Sequence, residues 1–212
     1  MLADERQHML RRRKKPAGFT LIEVVVTMTV LALILAVVLP SAGTWLDNTR
    51  IRNAADSLQT GLQTARSEAI RRNESVSFWL VSLEKPNVLD NDCALSGTSG
   101  SWVVSVTSPA GGCANSPSNT TAPRLVTARP IGDSGGLVSI NALQSDGSAG
   151  TTVTFNGFGR VTNSSDAIRQ IDVGGPNSNI EYRKLRLEIS SSGAVRMCDP
   201  QLPSSAEDPR KC

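Results

Sequence analysis

The sequence predicts an α+β protein in which one long N-terminal helix packs on antiparallel β-structure. Three observations carry this: an apolar run over 19–39, an amphipathic stretch with helical spacing after it, and short alternating strands from Ser75 to the end.

The first element reads FTLIEVVVTMTVLALILAVVL from Phe19 to Leu39, with Glu23 as its single charge. At about 1.5 Å per residue such a helix reaches across the ~30 Å hydrocarbon core of a bilayer. Basic residues at 11–15 precede it, so the positive-inside rule predicts a single-pass helix with a cytoplasmic N-terminus and an exported C-terminal part. A cleaved secretory signal is the competing reading, but its cleavage site at Ala42-Gly43 would place Pro40 where a small residue is needed. Glu23 also argues for more than an anchor, because an intramembrane carboxylate costs about 2.5–3.5 kcal/mol near the bilayer centre.

Pro40 predicts a kink or local break, since it lacks an amide donor. Beyond it, Ile51, Ala55, Leu58, Leu62, Ala65 and Ala69 recur at spacings of three and four and define one apolar helix face over 41–73. The alanines on that face allow close approach of a sheet. Arg50, Arg52, Arg66, Arg71 and Arg72 point elsewhere, either as a contact surface or as a solvated face paired with Asp56 and Glu68.

From 74 to 212 the chain reads as a β-rich globular region. Alternating runs at 75–83, 101–106, 136–140, 151–155, 182–190 and 194–198 are strands, and Gly/Ser/Thr/Pro stretches at 96–100, 107–123 and 144–150 are loops. In the 182–190 run Leu185, Leu187 and Ile189 take one face and Lys184, Arg186 and Glu188 the other.

The net charge of +3 is unevenly distributed. Residues 1–18 hold six of the 22 basic and two of the 19 acidic residues, which leaves 16 against 17, a net of −1, for everything after. No broad basic field is available for nucleic acid. His8 is the only histidine and lies in the leader, so histidine-dependent catalysis and histidine-ligated metal are excluded from the body.

Lys14-Lys15-Pro16-Ala17-Gly18-Phe19-Thr20-Leu21-Ile22-Glu23 resembles the signal of type IV prepilins. That resemblance implies a leader over 1–18, cleavage by a prepilin peptidase between Gly18 and Phe19, N-methylation of Phe19, and a role for Glu23 in assembly by pairing with a neighbouring subunit's amine. The stretch from Asn53 to Asn73 resembles the GspH/FimT group of minor pilins and pseudopilins. The resemblance implies a type IV pilin-like fold, a filament-subunit function in type II secretion or a type IV pilus, other minor pilins or pseudopilins and an inner-membrane assembly platform as partners, and no enzymatic activity or cofactor.

Ser192-Gly193-Ala194-Val195-Arg196-Met197-Cys198 resembles the last strand of that group, where some members carry a Gly-Arg-x-Arg motif that contributes to DNA binding. Here Ala194 replaces the first arginine. Arg183, Lys184, Arg186, Arg196, Arg210 and Lys211 form the candidate DNA patch, and DNA uptake is the alternative function, weakened by the net charge.

Cys93, Cys113, Cys198 and Cys212 fall on the exported side, where disulfides form; three connectivities are open, and pairing neighbours closes the shortest loops. No C-x₂₋₄-C pair supports a zinc site. Gly132-Asp133-Ser134-Gly135-Gly136 matches the nucleophile segment of chymotrypsin-like proteases in letters alone, since no histidine is available as base. Asp90-Asn91-Asp92 lacks the glycine and distal glutamate of an EF-hand loop and reads as a solvated turn.

Overall fold

A computed structural model describes residues 18–134, 137–163, 165–177, 180–203, 205 and 207–212. The chain divides into two compact units, residues 1–42 and Gly43–Cys212. Helix α1 spans Leu21–Arg72, and its backbone stays helical through Pro40. The predicted break therefore does not occur. Proline removes a single rung of the hydrogen-bond ladder, and the turns on either side keep theirs.

In the first unit, Thr20 caps α1: its hydroxyl accepts from the Glu23 amide at 3.2 Å, which satisfies one of the amides a helix start leaves open. The described apolar side chains that follow, Leu21, Ile22 and Leu33 among them, are exposed.

In the second unit α1 contributes the face predicted from its spacing. Ile51, Ala55, Leu58, Leu62, Ala65 and Ala69 are all 0% exposed. At Gly61 an added Cβ would lie 2.7 Å from the Phe78 ring and 2.8 Å from that of Trp102, so helix and sheet meet closer than any side chain there would allow. The Trp102 indole donates to Ser57 Oγ at 3.0 Å across the same contact.

Among the described residues nine strands form two antiparallel sheets: β1 (Val76–Ser82), β2 (Ala94–Leu95), β3 (Ser101–Ser105), β4 (Leu125–Arg129), β5 (Ser139–Leu143), β6 (Thr152–Phe155), β7 (Gln170–Gly174), β8 (Leu185–Ile189) and β9 (Val195–Cys198). The first sheet runs β2-β1-β3-β4, with β6 paired to β1 over Val76–Trp79; the second runs β5-β7-β8-β9. Of the predicted strands, those placed at 136–140 and 182–190 begin later, at Ser139 and Leu185. β2, β4 and β7 are additional.

Phe78, Leu80 and Val104 of the first sheet and Ile171, Leu187 and Ile189 of the second share one core with α1. The far face of the first sheet is also covered. Val81, Val103 and Leu125 make a second cluster with the Cys93 and Cys113 side chains. Buried serines on these strands are satisfied: Ser77 bonds Thr154 at 2.8 Å, Ser101 accepts from the Ile131 amide at 2.9 Å, and Ser105 donates to the Thr107 carbonyl at 2.7 Å.

Candidate assembly and binding surfaces

Gly18 and Phe19 precede the helix in non-helical backbone, and Phe19 is 84% exposed. An added Cβ at Gly18 would meet nothing within 4 Å among the described residues. Glu23 lies in the exposed first turn of α1, where a carboxylate also complements the helix dipole. Leader residues 1–17, including His8 and Lys14 to Ala17, lie outside the described residues. The described side chains of the apolar run end at Ala36, and among the described residues no helix is long and apolar enough to cross a membrane.

The candidate DNA residues make several different contacts. On the outer face of the second sheet Arg186 binds Asp172, with Nε to Oδ1 at 2.6 Å, while Arg196 reaches Glu188 across the β8–β9 pair at 2.7 Å. Arg210 holds Asp208 at 2.6 Å, and this hydrogen bond, helped by the Arg210 amide, lowers the Asp208 carboxyl to about 2. Three of the four arginines thus carry their own carboxylate. Lys184 fixes Gln201 through its backbone amide at 2.8 Å. Arg183 and Arg210 line a different feature, a groove of ≈ 470 Å³ bounded by α1, β8, β9 and the C-terminal tail.

Two helix residues of that groove stand outside the candidate DNA set: Arg52, read from sequence only as one of the helix arginines, and Trp45, not singled out at all. Their signal was present: 45, 48, 49 and 52 have the spacing of one helix stripe, distinct from the buried face that starts at Ile51. The helix arginines are otherwise mostly paired, some of them in partly buried contacts. Arg50 bonds Asp47 at 2.8 Å, Arg72 bonds Glu68 at 2.8 Å, and Arg71 also bonds Glu68. The hydrogen bond from Arg71 is the main reason the Glu68 carboxyl is lowered. At the helix end Arg124 grips Glu74 with two hydrogen bonds and lowers that carboxyl as well.

Gly193 has a packing reason of its own. Its φ is +81°, and an added Cβ would stand 2.0 Å from the carbonyl oxygen of Gly159, which itself accepts from Arg66 Nε at 3.1 Å. The glycine of the last-strand pattern therefore lets two turns and the helix meet.

Cys93 is bonded to Cys113 and Cys198 to Cys212. Glu188 lies with Cys198 and Cys212 at metal-ligand spacing, but both sulfurs are spent on each other. In the protease-like segment, Ile131–Ser134 is a 3-10 turn and Gly132 is packed so closely that a Cβ would sit 1.7 Å from Asn87 Oδ1. Gly135, Gly136 and the side chain of Ser134 lie outside the described residues. Asp90 is engaged locally, accepting from the Glu84 and Asp92 amides.

A family model described as type II transport protein GspH matches residues 54–193, and one described as a prokaryotic N-terminal methylation motif matches residues 13–39. Two crystal structures of the type IV minor pilin FimU from Pseudomonas aeruginosa strain PAO1 are similar at 16% identity. One has a TM-score of 0.41 and covers 73% of this chain and 94% of the other; the second has 0.43, with 74% and 90%. No curated protein matches.

Proposed function

This chain belongs to the GspH family of type II transport proteins, and from that premise we propose that it is a minor pilin or pseudopilin, a structural subunit placed at or near the tip of a short filament. The observation that carries the reading is the methylation motif over 13–39 heading an apolar run with one carboxylate, Glu23. Prepilin peptidase cuts between Gly18 and Phe19 and N-methylates Phe19. The run from Phe19 to Leu39 holds the subunit in the inner membrane, with the β-rich unit outside the cytoplasm. Assembly then moves that helix from lipid into a bundle with other pilins on the membrane platform. A carboxylate that is costly in hydrocarbon becomes favourable once a neighbour supplies a cation, so Glu23 biases the subunit toward the bundle.

Mass spectrometry of the membrane-derived protein tests the processing step, with a methylated Phe19 terminus expected; a terminus at Gly43 would overturn the assignment. Gly18→Ala should be processed better than Gly18→Trp, because the peptidase must accommodate the residue beside the cut bond. Glu23→Ala should be processed and retained in membranes like the wild type, yet be depleted from sheared or crosslinked filament fractions. Equal incorporation of both proteins would remove Glu23 as an assembly determinant.

DNA uptake is the less supported reading, since Arg186, Arg196 and Arg210 each hold a carboxylate. A receptor would bind duplex DNA with an affinity falling steeply with salt. Weak, shallow binding by the full chain is the result expected here. Whether the filament belongs to type II secretion or to a type IV pilus is tested by which set of pilins crosslinks to this chain, and we favour the type II machine on the family description.

A further inference from the structure

The groove between α1 and the second sheet combines two chemistries that the filament role leaves unused. Leu185 and Met197 supply apolar lining, and Trp45 stands beside them with 67% of its surface exposed. Three arginines, Arg52, Arg183 and Arg210, line the same groove. Asp199 is the one carboxylate in the lining. Arg52 is only loosely engaged, 4.0 Å from Asp56, and Arg210 holds Asp208. Arg183 makes no ion pair among the described residues, while its backbone amide is fixed to Asn48 Oδ1 at 2.9 Å, which ties the base of the side chain to α1.

A groove lined by apolar side chains and cations selects a ligand that is itself amphipathic and anionic. A free phosphate would leave the apolar lining unused, and duplex DNA would offer phosphates without an aliphatic part to cover Leu185 and Met197. The chain's own connectivity narrows the choice. Trp45 follows the end of the apolar run at Leu39 by six residues, a link of about 20 Å even if fully extended. If 19–39 lies in a bilayer, the groove is within reach of the headgroups, the layer where tryptophan is enriched and where each nearby cation gains about 1 kcal/mol from anionic lipid.

We propose that this groove binds the headgroup and glycerol region of an anionic phospholipid, with the phosphate at Arg183 and the start of the acyl chains against Leu185, Met197 and Trp45. The proposal rests on the reading of 19–39 as the membrane-held segment. It gives the subunit a second, releasable contact with the membrane besides its helix.

The test uses the full chain reconstituted in vesicles of phosphatidylcholine alone or with increasing phosphatidylglycerol, and reads tryptophan emission. Trp102 is 2% exposed and the Trp79 indole nitrogen is buried, so the composition-dependent signal comes from Trp45. A saturable blue shift with phosphatidylglycerol is expected. In Arg183→Glu it should need about tenfold more of that lipid or more, whereas Arg186→Glu, on the opposite sheet face, should titrate like the wild type. Near-UV circular dichroism confirms that each variant is folded, and Arg183→Gln, expected to fall between the two, stands in if Arg183→Glu is not. Identical emission in both lipid compositions, or an unchanged Arg183→Gln titration, would overturn the proposal. So would an equal shift from inorganic phosphate at matched concentration, or a shift from duplex DNA and none from phosphatidylglycerol. Carbonate extraction of the same vesicles separates the premises: release of the wild-type chain defeats the membrane reading, and retention without a lipid-dependent shift defeats only the groove.

Discussion

The two sheets lean on the same helix, but the central strands of the first, β1 and β3, are enclosed, while the second is more open. Every position of β3 is buried, and β1 is buried at five of its seven positions. Strands β5, β8 and β9 instead alternate or grade between buried and accessible residues. The difference lies in what covers the far side. The first sheet has a disulfide-closed loop layer over it, while the second carries charged side chains there, Arg186 with Asp172 and Arg196 with Glu188. One helix therefore supports two kinds of β-structure, a central layer that must satisfy buried polar groups and a one-sided layer that can carry charge toward solvent.

The widest gap between the two should come from the enclosed side. Phe78→Ala removes a 0% exposed ring at the contact with Gly61 and Trp102, and should cost about 3–5 kcal/mol in urea unfolding of the detergent-solubilised chain. A loss below about 1 kcal/mol would mean that the helix and first sheet are not packed as described.

The disulfides sharpen the comparison. Cys93 and Cys113 are both buried in the covering layer and close a sequence separation of 20, so replacing both with serine should cost about 3 kcal/mol. Cys198–Cys212 closes a separation of 14 around an exposed tail, and its loss should appear chiefly as faster amide exchange of residues 199–211 with a small change in the unfolding midpoint. Equal global costs would break the distinction.

Acid should act first on the ion pairs beside the first sheet. Glu68 and Glu74 have carboxyls lowered from 4.5 by Arg71 and Arg124, so the unfolded chain binds protons at higher pH than the folded one. Their contribution is fully present above the unfolded value and is lost as the pH falls through the folded values. The urea midpoint should therefore decline as pH drops below about 4.5, and less so in Glu68→Gln/Glu74→Gln. Asp208 behaves the same way between 3.8 and about 2, with a local readout in the tail. The smallest effect belongs to the open face: Arg196→Ala should change stability by about 0.5 kcal/mol or less, because its pair with Glu188 is largely solvated.

How much of this was legible in the sequence follows from the range of each interaction. The buried face of α1 is written in local spacing, and all six predicted positions are fully buried. Strands with three or more alternating apolar residues were visible for the same reason. β7 has only Ile171 and Val173 between Gln170, Asp172 and Gly174, and β4 ends in Arg129, so their alternation was too short to separate from loop. Of the kink or local break read from Pro40, the break is absent, because one lost hydrogen bond is a local deficit in a long cooperative element. The partners of the candidate DNA residues could not be read locally, because they are distant in the chain: Arg186 finds its carboxylate 14 residues away, and the Arg183 amide meets Asn48 of α1. The N-terminal methylation motif could be read at once, because it lies within one short segment, residues 13–39.

The missing side chain at residue 61 has a historical consequence. Since the Phe78 and Trp102 rings already occupy the space that even a methyl group would need, position 61 cannot acquire one while those rings stay as they are. Among descendants of a common ancestor, a larger residue at 61 should arrive together with a smaller one at 78 or 102. These three sites, far apart in the gene, would then change as a group, and their joint record would preserve the distance between helix and sheet.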